Sequence, residues 1–538
     1  MTAALCLRQR GLSVLVVEST SQVGGTTSTS AGTLWLPCAD ARAQDAAGCA
    51  EAARTYLRAC IGGSADERKI DALIATGPEL LAFLRAHTDV QLDMVATHPD
   101  YLQHLPGATM GGRAFAPREF DGRLLGADFA RIRAPLPEFM VFGGMMVSKA
   151  DIPMLLSATR NAKAFMHAAK LLTRYGLDRL RGRRGTRLVM GNALVARLFS
   201  SMRRMQVEIA FDTTVAEVER AAQGFDCTLA GGAGGGVHVR RGVILATGGF
   251  SGNAALRERW LPASAQAHSV AHAGNAGGGI ALAHSLGAAT EQDHVQPALW
   301  MPVSTMRRPD GSLAIFPHIV LDRAKPGCLA VDTSAQRFVN EADAYHHFCE
   351  AMLKVTSTAP DARFYLIADM AFVHRYGIGM VRPGRVPRAV EESGYLMRAR
   401  SPEALAARLG LDPEALASTL ARYNASAARG EDPDFGRGSS AFNRFNGDVE
   451  HAPNPCLRAL DTSDLCAVAL HVADLATSVG LATDQDARLL NSAGKPIEGL
   501  FACGNDMASM MRGSYPGPGT TLGPGMVFAL RAANRLAG

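Results

Sequence analysis

Residues 12–17 form a Val/Leu-rich run that ends on Glu18, and this feature limits the folds open to the chain more than any other. Before it, Ala3, Ala4 and Leu7 share one apolar helix face, and Gly11 stops the helix. The order is helix, turn, buried strand, acidic residue, the grammar of an α/β layer. At 538 residues, against roughly 100–200 per domain, two or three domains are expected. The hydrophobic fraction of 47% and charged fraction of 20% describe an ordinary globular protein. The net charge of +5 is local, because residues 170–187 carry seven basic side chains against Asp178 and leave the rest of the chain at −1. That excludes a nucleic-acid-binding surface spread over a domain. The patch reads first as a solvated face, with peripheral contact to an anionic membrane as the sharper alternative. No apolar run reaches the ~18 residues of a membrane span, and the N-terminus lacks the order of a secretory signal, so a cytoplasmic enzyme is expected. Ten cysteines, at positions 6, 38, 49, 60, 227, 328, 349, 456, 466 and 503, have no zinc-clamping spacing and are expected to be reduced, packed thiols.

In a dinucleotide-binding βαβ unit, an acidic residue at the end of the second strand holds the adenosine ribose about 20 residues beyond a Gly-rich loop. Glu18 has that position. Counting back through strand and helix puts the last glycine of Gly-x-Gly-x-x-Gly immediately before Met1. The reading frame is therefore expected to extend upstream through that loop and the first strand, both missing here. Segments 241–250 (RGVILATGGF) and 497–505 (IEGLFACGN) each join an apolar run to a glycine turn, and 274–288 looks like a turn opening a helix. Apolar residues at 155, 156, 162, 165, 166, 169 and 172 predict one helix over 154–172. Two more are predicted in 401–430, with Ser401 and Pro402 at a start, Gly410 as a stop, and Asp412 and Pro413 at the next start.

The run VVESTSQVGGTTSTSAGTLWLP at 16–37 resembles the flavoprotein subunits of the fumarate reductase and succinate dehydrogenase superfamily. Gly24, Gly25 and Gly32 would let backbone amides approach a pyrophosphate, while Thr26, Thr27, Ser30 and Thr33 supply hydroxyls. The resemblance implies FAD, with further contacts from Val215, from Ala246, Thr247 and Gly248 of ATGG, from Gly504 and Asn505, and from Thr521 and Leu522. The expected fold is a Rossmann-like FAD-binding domain from 1–285 and 463–538, with an α+β substrate domain at 286–462 inserted between.

The C-terminal run GNDMASMMRGSYPGPGTTLGPGMVFALRAANRLA is similar to the end of FAD-dependent 3-ketosteroid Δ1-dehydrogenases. In that family the Tyr of Y-P-G-x-G and the amide of its last Gly bind the 3-keto oxygen, roles that fall here on Tyr515 and Gly519. A second family tyrosine follows R-F-x-N-E, and RFVNEADAY puts it at Tyr345; HPDYLQHLPGA offers Tyr101 as a third. The resemblance implies Tyr345 as base and Tyr101 as its partner. Gly523 and Gly525 open the last helix, whose amides and dipole would suit the C2 oxygen of reduced flavin. His294, followed by VQPALWMP, resembles a strand bordering the substrate cavity. Two features depart from the family: 277–279 reads GGG where relatives commonly have Gly-Asp-Gly, and 130–190 is longer than is typical.

Converting CH–CH beside a ketone to C=C removes a proton α to the carbonyl and a hydride from the next carbon. A donor pair on the ketone oxygen stabilises the developing enolate, and flavin N5 takes the hydride. A carboxylate base would be costly to desolvate in a steroid-shaped apolar pocket. A tyrosine is neutral at rest and titrates near about 10, so it needs a neighbouring hydroxyl or local field. A Δ4-dehydrogenase, or a relative acting on another cyclic ketone, uses the same parts. A dicarboxylate reductase needs a cationic clamp, and Arg512 alone is not one. A cofactor-free binding protein is the alternative from a different class. No motif identifies the electron acceptor.

Overall fold

The computed structural model describes residues 1–40, 45–148, 150–159, 161–180, 182, 184–319 and 322–538. The helix Thr2–Gln9 packs on the last helix, Leu522–Ala537, through buried Leu5, Cys6, Val527 and Leu530. Leu15–Val17 pairs in parallel with Glu208–Ala210, and Glu18 continues the ladder by donating its N–H to Ala210 O at 2.9 Å. Val243–Leu245 runs parallel to residues 500–502 of the strand Pro496–Ala502. Parallel pairs need crossovers of at least a dozen or so residues, and here the crossovers are far longer. Two glycine turns distant in sequence therefore lie together, after Leu245 and after Ala502.

A seven-stranded sheet carries the second half of the fold. Its central strand, Leu465–Thr477, pairs with Ala298–Arg307 on one side and with Phe364–Asp369 on the other, both antiparallel. Alternation assigns the two faces. Leu329, Val331, Tyr365 and Ile367 point toward the helices Pro402–Leu409 and Pro413–Ala427, while Cys328, Ala330, Leu366 and Ala368 pack toward Phe348 and Met352 of the helix Tyr345–Thr358. The strand is thus covered on both sides, which accounts for its nearly unbroken apolar sequence.

Local signals place several elements as expected. Ser401 and Asp412 cap their helices by accepting from Ala404 N at 3.2 Å and Ala415 N at 2.7 Å, and Gly410 ends the first at φ 66°. Segment 274–288 supplies the helix Gly278–Ser285. Two expectations are corrected. The single helix over 154–172 is two, Asp151–Leu156 and Ala162–Arg179, because the Asn161 side chain accepts from Lys163 N and Ala164 N at 2.8 and 3.3 Å and starts a new helix there. The cysteines are not all thiols, since Cys38 and Cys49 form a disulfide with Cα atoms 5.7 Å apart. No spacing signals that bond: the fold brings the end of the 34–40 segment beside the helix Ala46–Ile61. The other eight are free, and all but Cys60 are buried. Three of the seven basic side chains of the 170–187 segment also serve the fold, the first being Arg174, paired with Asp121 at 3.2 Å. Arg187 pairs with Glu119 and Asp151 at 2.7 and 2.9 Å, and Arg184 donates to Ile132 O at 3.0 Å; Arg181 and Arg183 lie outside the described residues. Among the described residues, no helix is long and apolar enough to cross a membrane, and no cluster of ligands could hold a metal.

Behind the sheet lies a buried ion network. Arg337 pairs with Glu341 and Asp432, both at 2.8 Å, and Arg437 pairs with Glu341 at 3.1 Å. Removing one member strands a charge that cannot reach water. Arg337→Ala is expected to lower unfolding stability by roughly 3–5 kcal/mol. Equilibrium denaturation checks this, and a loss near zero would mean that the network is solvated.

Candidate active site

One continuous cavity of about 3770 Å³ runs through the molecule. The cofactor and catalytic candidates from the sequence line it, from Glu18 and Gly24 through Val215, Thr247, Asn505, Leu522 and Gly525 to the three tyrosines and Gly519, all but Gly523, which packs against the Trp35 backbone. Glu18 holds Thr20 through a single carboxylate oxygen, Oε1, which accepts from the Thr20 N–H at 3.0 Å and its hydroxyl at 2.9 Å. The second oxygen is left for a ligand hydroxyl. Gly24, at φ 117°, and Gly25 open a 3-10 turn, Gly25–Thr29, that only glycine begins without strain. Thr26 Oγ1 accepts from His272 N at 2.9 Å and from Asn275 Nδ2 at 3.1 Å, so its own hydrogen is free to donate. Ser28 Oγ is buried without a partner in this turn. Open donors beside a lone carboxylate oxygen are what the pyrophosphate and ribose of FAD require.

Asp506, fully buried, joins the two glycine turns and was not singled out by the sequence. Its carboxylate accepts from the Thr247 N–H, from Thr247 Oγ1 at 2.9 Å and from Gly249 N at 2.9 Å, across 259 residues of sequence. Thr247 and Asn505 therefore sit together on the cavity that Glu18 also lines. A Cβ on Gly279 would meet Asp506 Oδ2 at 2.6 Å and Thr247 Oγ1 at 2.9 Å, which explains that glycine. A Cβ on Gly278 would meet nothing within 4 Å, so the structure leaves room for a side chain at the centre of the GGG run. His294, expected to border the substrate, is turned away to Ser478 Oγ at 2.7 Å and Glu291 at 3.5 Å, and it does not line the cavity. Only its neighbouring strand does, through Met301.

The three tyrosines come from distant segments and meet. Tyr101 and Tyr515 stack with ring centroids 5.6 Å apart at 8°. Tyr345 meets them edge-on, at 5.8 and 5.3 Å. The Tyr101 hydroxyl donates to that of Tyr345 at 3.4 Å. Leu299, Met301, Val303, Ala473 and Ala476 complete the cluster. Burial pushes all three phenols above the ordinary tyrosine range, and for Tyr345 the adjacent Tyr101 pushes the same way. At neutral pH they are neutral donors. Gly519, at φ 92°, lies against Thr33 O and Trp35 N, and among the described residues no backbone acceptor takes its N–H.

Supports missed by the sequence hold these rings in place. Tyr101 N and Tyr56 OH both donate to Pro516 O, at 2.8 and 2.6 Å, and so tie the Tyr101 loop to the YPG turn. Asp100, buried, accepts from Arg113 at 2.6 Å and from Trp35 Nε1 at 3.1 Å. Asn443 donates to Asp343 at 2.9 Å and accepts from Asn340 at 3.0 Å, which fixes the chain just before Tyr345. In the adjoining wall, Ser304, His318 and Asp322 are linked at 2.7 and 2.6 Å in the connectivity of a nucleophilic triad. Ser304 is only 1% exposed, and its hydroxyl also bonds Tyr395 at 2.6 Å, so the group anchors the wall and cannot meet a substrate carbonyl.

A cavity shaped for a dinucleotide, closed at one end by phenols able to polarise a ketone, defines a flavin-dependent dehydrogenase. The FAD binding domain family matches residues 1–522. The chain is 36% identical to 4-oxocyclohex-2-ene-1-carboxylate 5-dehydrogenase of Sinomonas cyclohexanicum, over 100% of this chain and 92% of that protein. It is 32% identical to 3-oxosteroid 1-dehydrogenase of Mycobacterium tuberculosis, over 100% and 96%. The crystal structure of 3-ketosteroid Δ1-dehydrogenase from Sterolibacterium denitrificans, in complex with 1,4-androstadiene-3,17-dione, superposes with a TM-score of 0.90 at 33% identity, covering 100% of this chain and 97% of that one. The protein is an FAD-dependent dehydrogenase acting on CH–CH bonds of steroid or cyclic-ketone substrates. It belongs to the 3-ketosteroid Δ1-dehydrogenase family of FAD-binding proteins.

Asp506→Ala strands the N–H groups of Thr247 and Gly249. A stability loss of roughly 1–3 kcal/mol for each unsatisfied donor is expected from denaturant titration, and an unchanged midpoint would show that Asp506 is dispensable to the turn.

Proposed function

We propose that the protein introduces the C1–C2 double bond of a 3-ketosteroid. The observation that carries this reading is the convergence of three neutral phenols on an apolar-walled end of the FAD cavity. Tyr515 OH and Gly519 N–H donate to the ketone oxygen and stabilise the enolate that develops as the C2 proton leaves. Tyr345 takes that proton as its phenolate, having first released its own proton to solvent by way of the Tyr101 hydroxyl, which is bonded to it and steadies the phenolate charge until the C2 proton neutralises it. Bound FAD supplies the acceptor for the C1 hydride. Glu18 holds its ribose, the 24–27 turn with Ser30, Gly32 and Thr33 its pyrophosphate, and Val215, the 246–248 turn, Gly504, Asn505, Thr521 and Leu522 the remainder. In this reading the cofactor half comprises 1–285 and 463–538, and the substrate half 286–462. The strand Leu465–Thr477 is the seam, since it pairs with His268–Ser269 from one part and Ala298–Arg307 from the other.

The competing reading, a monocyclic keto acid, draws on the 36% identity to the cyclohexene-carboxylate enzyme. It would need a cation near the ketone site. Arg323, whose field reaches Tyr345, spends its N–H groups on the carbonyls of His318, Ile319, Glu341 and Asp343, at 2.8 to 3.2 Å. Met301, Phe316 and Ile319 line the approach and favour a lipophilic skeleton.

Two substitutions test the roles by rapid-mixing measurement of flavin reduction with a 3-ketosteroid. Tyr345→Phe should bind steroid normally while reduction slows by roughly 10²–10⁴-fold. Tyr515→Phe should slow it by roughly 10²–10³-fold and weaken binding as well. A Tyr345→Phe protein as fast as its parent would remove Tyr345 from the chemistry. Because the phenols are raised, the active base form grows with pH, so the parent's reduction rate should climb through the alkaline range without levelling below about pH 10. A plateau near neutrality would assign the base to another group.

A further inference from the structure

The helix Ala162–Arg179 buries one face, through Ala164, Ala168, Leu171 and Tyr175. At about 3.6 residues per turn, a second apolar face follows from the same sequence. It carries Phe165, Met166, Leu172, Leu177 and the adjoining Leu180, which are 59%, 66%, 43%, 61% and 83% exposed. Ala169, Thr173 and Gly176 fill the gaps, so the stripe holds no charge. Lys163 and Lys170 border it on one side, next to Arg174, which is paired with Asp121 at 3.2 Å, and Arg179 stands on the other. The nearby acid Asp178 is buried and occupied by Thr186, whose N–H and hydroxyl it accepts at 2.7 and 2.9 Å. A groove of about 630 Å³ runs along this face between Met166, Leu177 and Leu180 and the basic Lys170, with Arg123 and Arg174 beside it paired to Asp121 at 2.5 and 3.2 Å.

We propose that this face docks the enzyme on an anionic lipid surface, with the stripe among the acyl chains and the flanking Lys163 and Lys170 at the headgroups. An uncharged stripe with cationic borders is the pattern of a helix lying in a membrane interface. A second copy of the chain fits less well, because a two-fold contact would set each basic border against its own image. The docking unit is also a wall of the cavity. Leu171 and Tyr175 pack with Met145, Val141, Val147 and Leu155, of which the last three line the cavity, and the Tyr175 hydroxyl donates to Phe142 O at 2.8 Å. Docking therefore sets the cavity wall at the lipid surface; its use in loading substrate rests on the lipophilic ketone proposed above.

The test is vesicle flotation of the FAD-loaded full chain, with phosphatidylcholine alone and with phosphatidylcholine mixed with phosphatidylglycerol. The parent should float with the anionic vesicles and be released by high salt. Leu177→Asp with Leu180→Asp, both at exposed positions, should weaken partitioning by at least about tenfold with an unchanged melting temperature. Lys163→Gln and Lys170→Gln should each weaken it by about fivefold, on anionic vesicles only. A parent that stays in solution, or a double Leu variant that floats as well as the parent, overturns the proposal. So does self-association of the parent that the same variant abolishes while vesicles bind neither. Ketone turnover in vesicle-free buffer should be equal for parent and variants. Its absence from the parent would count against the proposed substrate and leave the flotation result standing.

Discussion

The carbonyl of Pro516 is the joint on which the site depends. It takes the Tyr56 hydroxyl and the Tyr101 N–H together, and through them the turn carrying Tyr515 and the loop carrying Tyr101 become one rigid piece. Behind it, the Asp100–Arg113 pair and the Trp35 indole fill the space. A ketone oxygen gains from preorganised donors only if those donors do not relax when charge develops. Here neither the Tyr101 loop nor the turn carrying Tyr515 can shift away from the other without breaking a buried hydrogen bond, whose partner would then be left without water.

The same burial sets the chemistry. In an apolar pocket, a carboxylate base would stand charged and desolvated in the resting state, whereas a phenol stays neutral until it takes part. The cost is that burial raises each phenol, so the phenolate that acts as base needs its charge shared before it takes the proton. The hydroxyl of Tyr101 against Tyr345 and the clustered edges of the rings supply that sharing within the described residues. The cofactor end uses the opposite strategy, keeping one oxygen of Glu18 and the Thr26 hydrogen unspent in a turn of glycine and threonine.

Much of this was legible in sequence because the informative groups are local. The strand ending on Glu18, the glycine turns and the three tyrosine words all lie in short runs whose residue order carries the meaning, and Glu18, the 24–27 and 246–248 turns and the three tyrosines all line the one cavity. What stayed hidden depends on partners far along the chain. Asp506 looks like any acid after a glycine turn until the parallel pairing of Val243–Leu245 with residues 500–502 brings Thr247 to it. Asp100 acquires its meaning only from Arg113 and Trp35, and Cys38 only from Cys49. The break before Ala162 did have a local signal, Asn161 as an N-cap, but the apolar period continued across it and outweighed the cap. His294 was read from its neighbours, and the strand beside it, not the histidine, faces the cavity.

The central claim is that the cluster of Tyr101, Tyr345 and Tyr515 accepts the ketone of a steroid, not of a small keto acid. Anaerobic mixing of the FAD-loaded protein with 3-ketosteroids saturated at C1–C2, and separately with 4-oxocyclohexane carboxylates, reads this directly in the flavin absorbance. The account predicts rapid bleaching by the steroid, with a 1,2-unsaturated product, and little by the keto acids. Bleaching by a cyclohexane keto acid with none by any ketosteroid would contradict it.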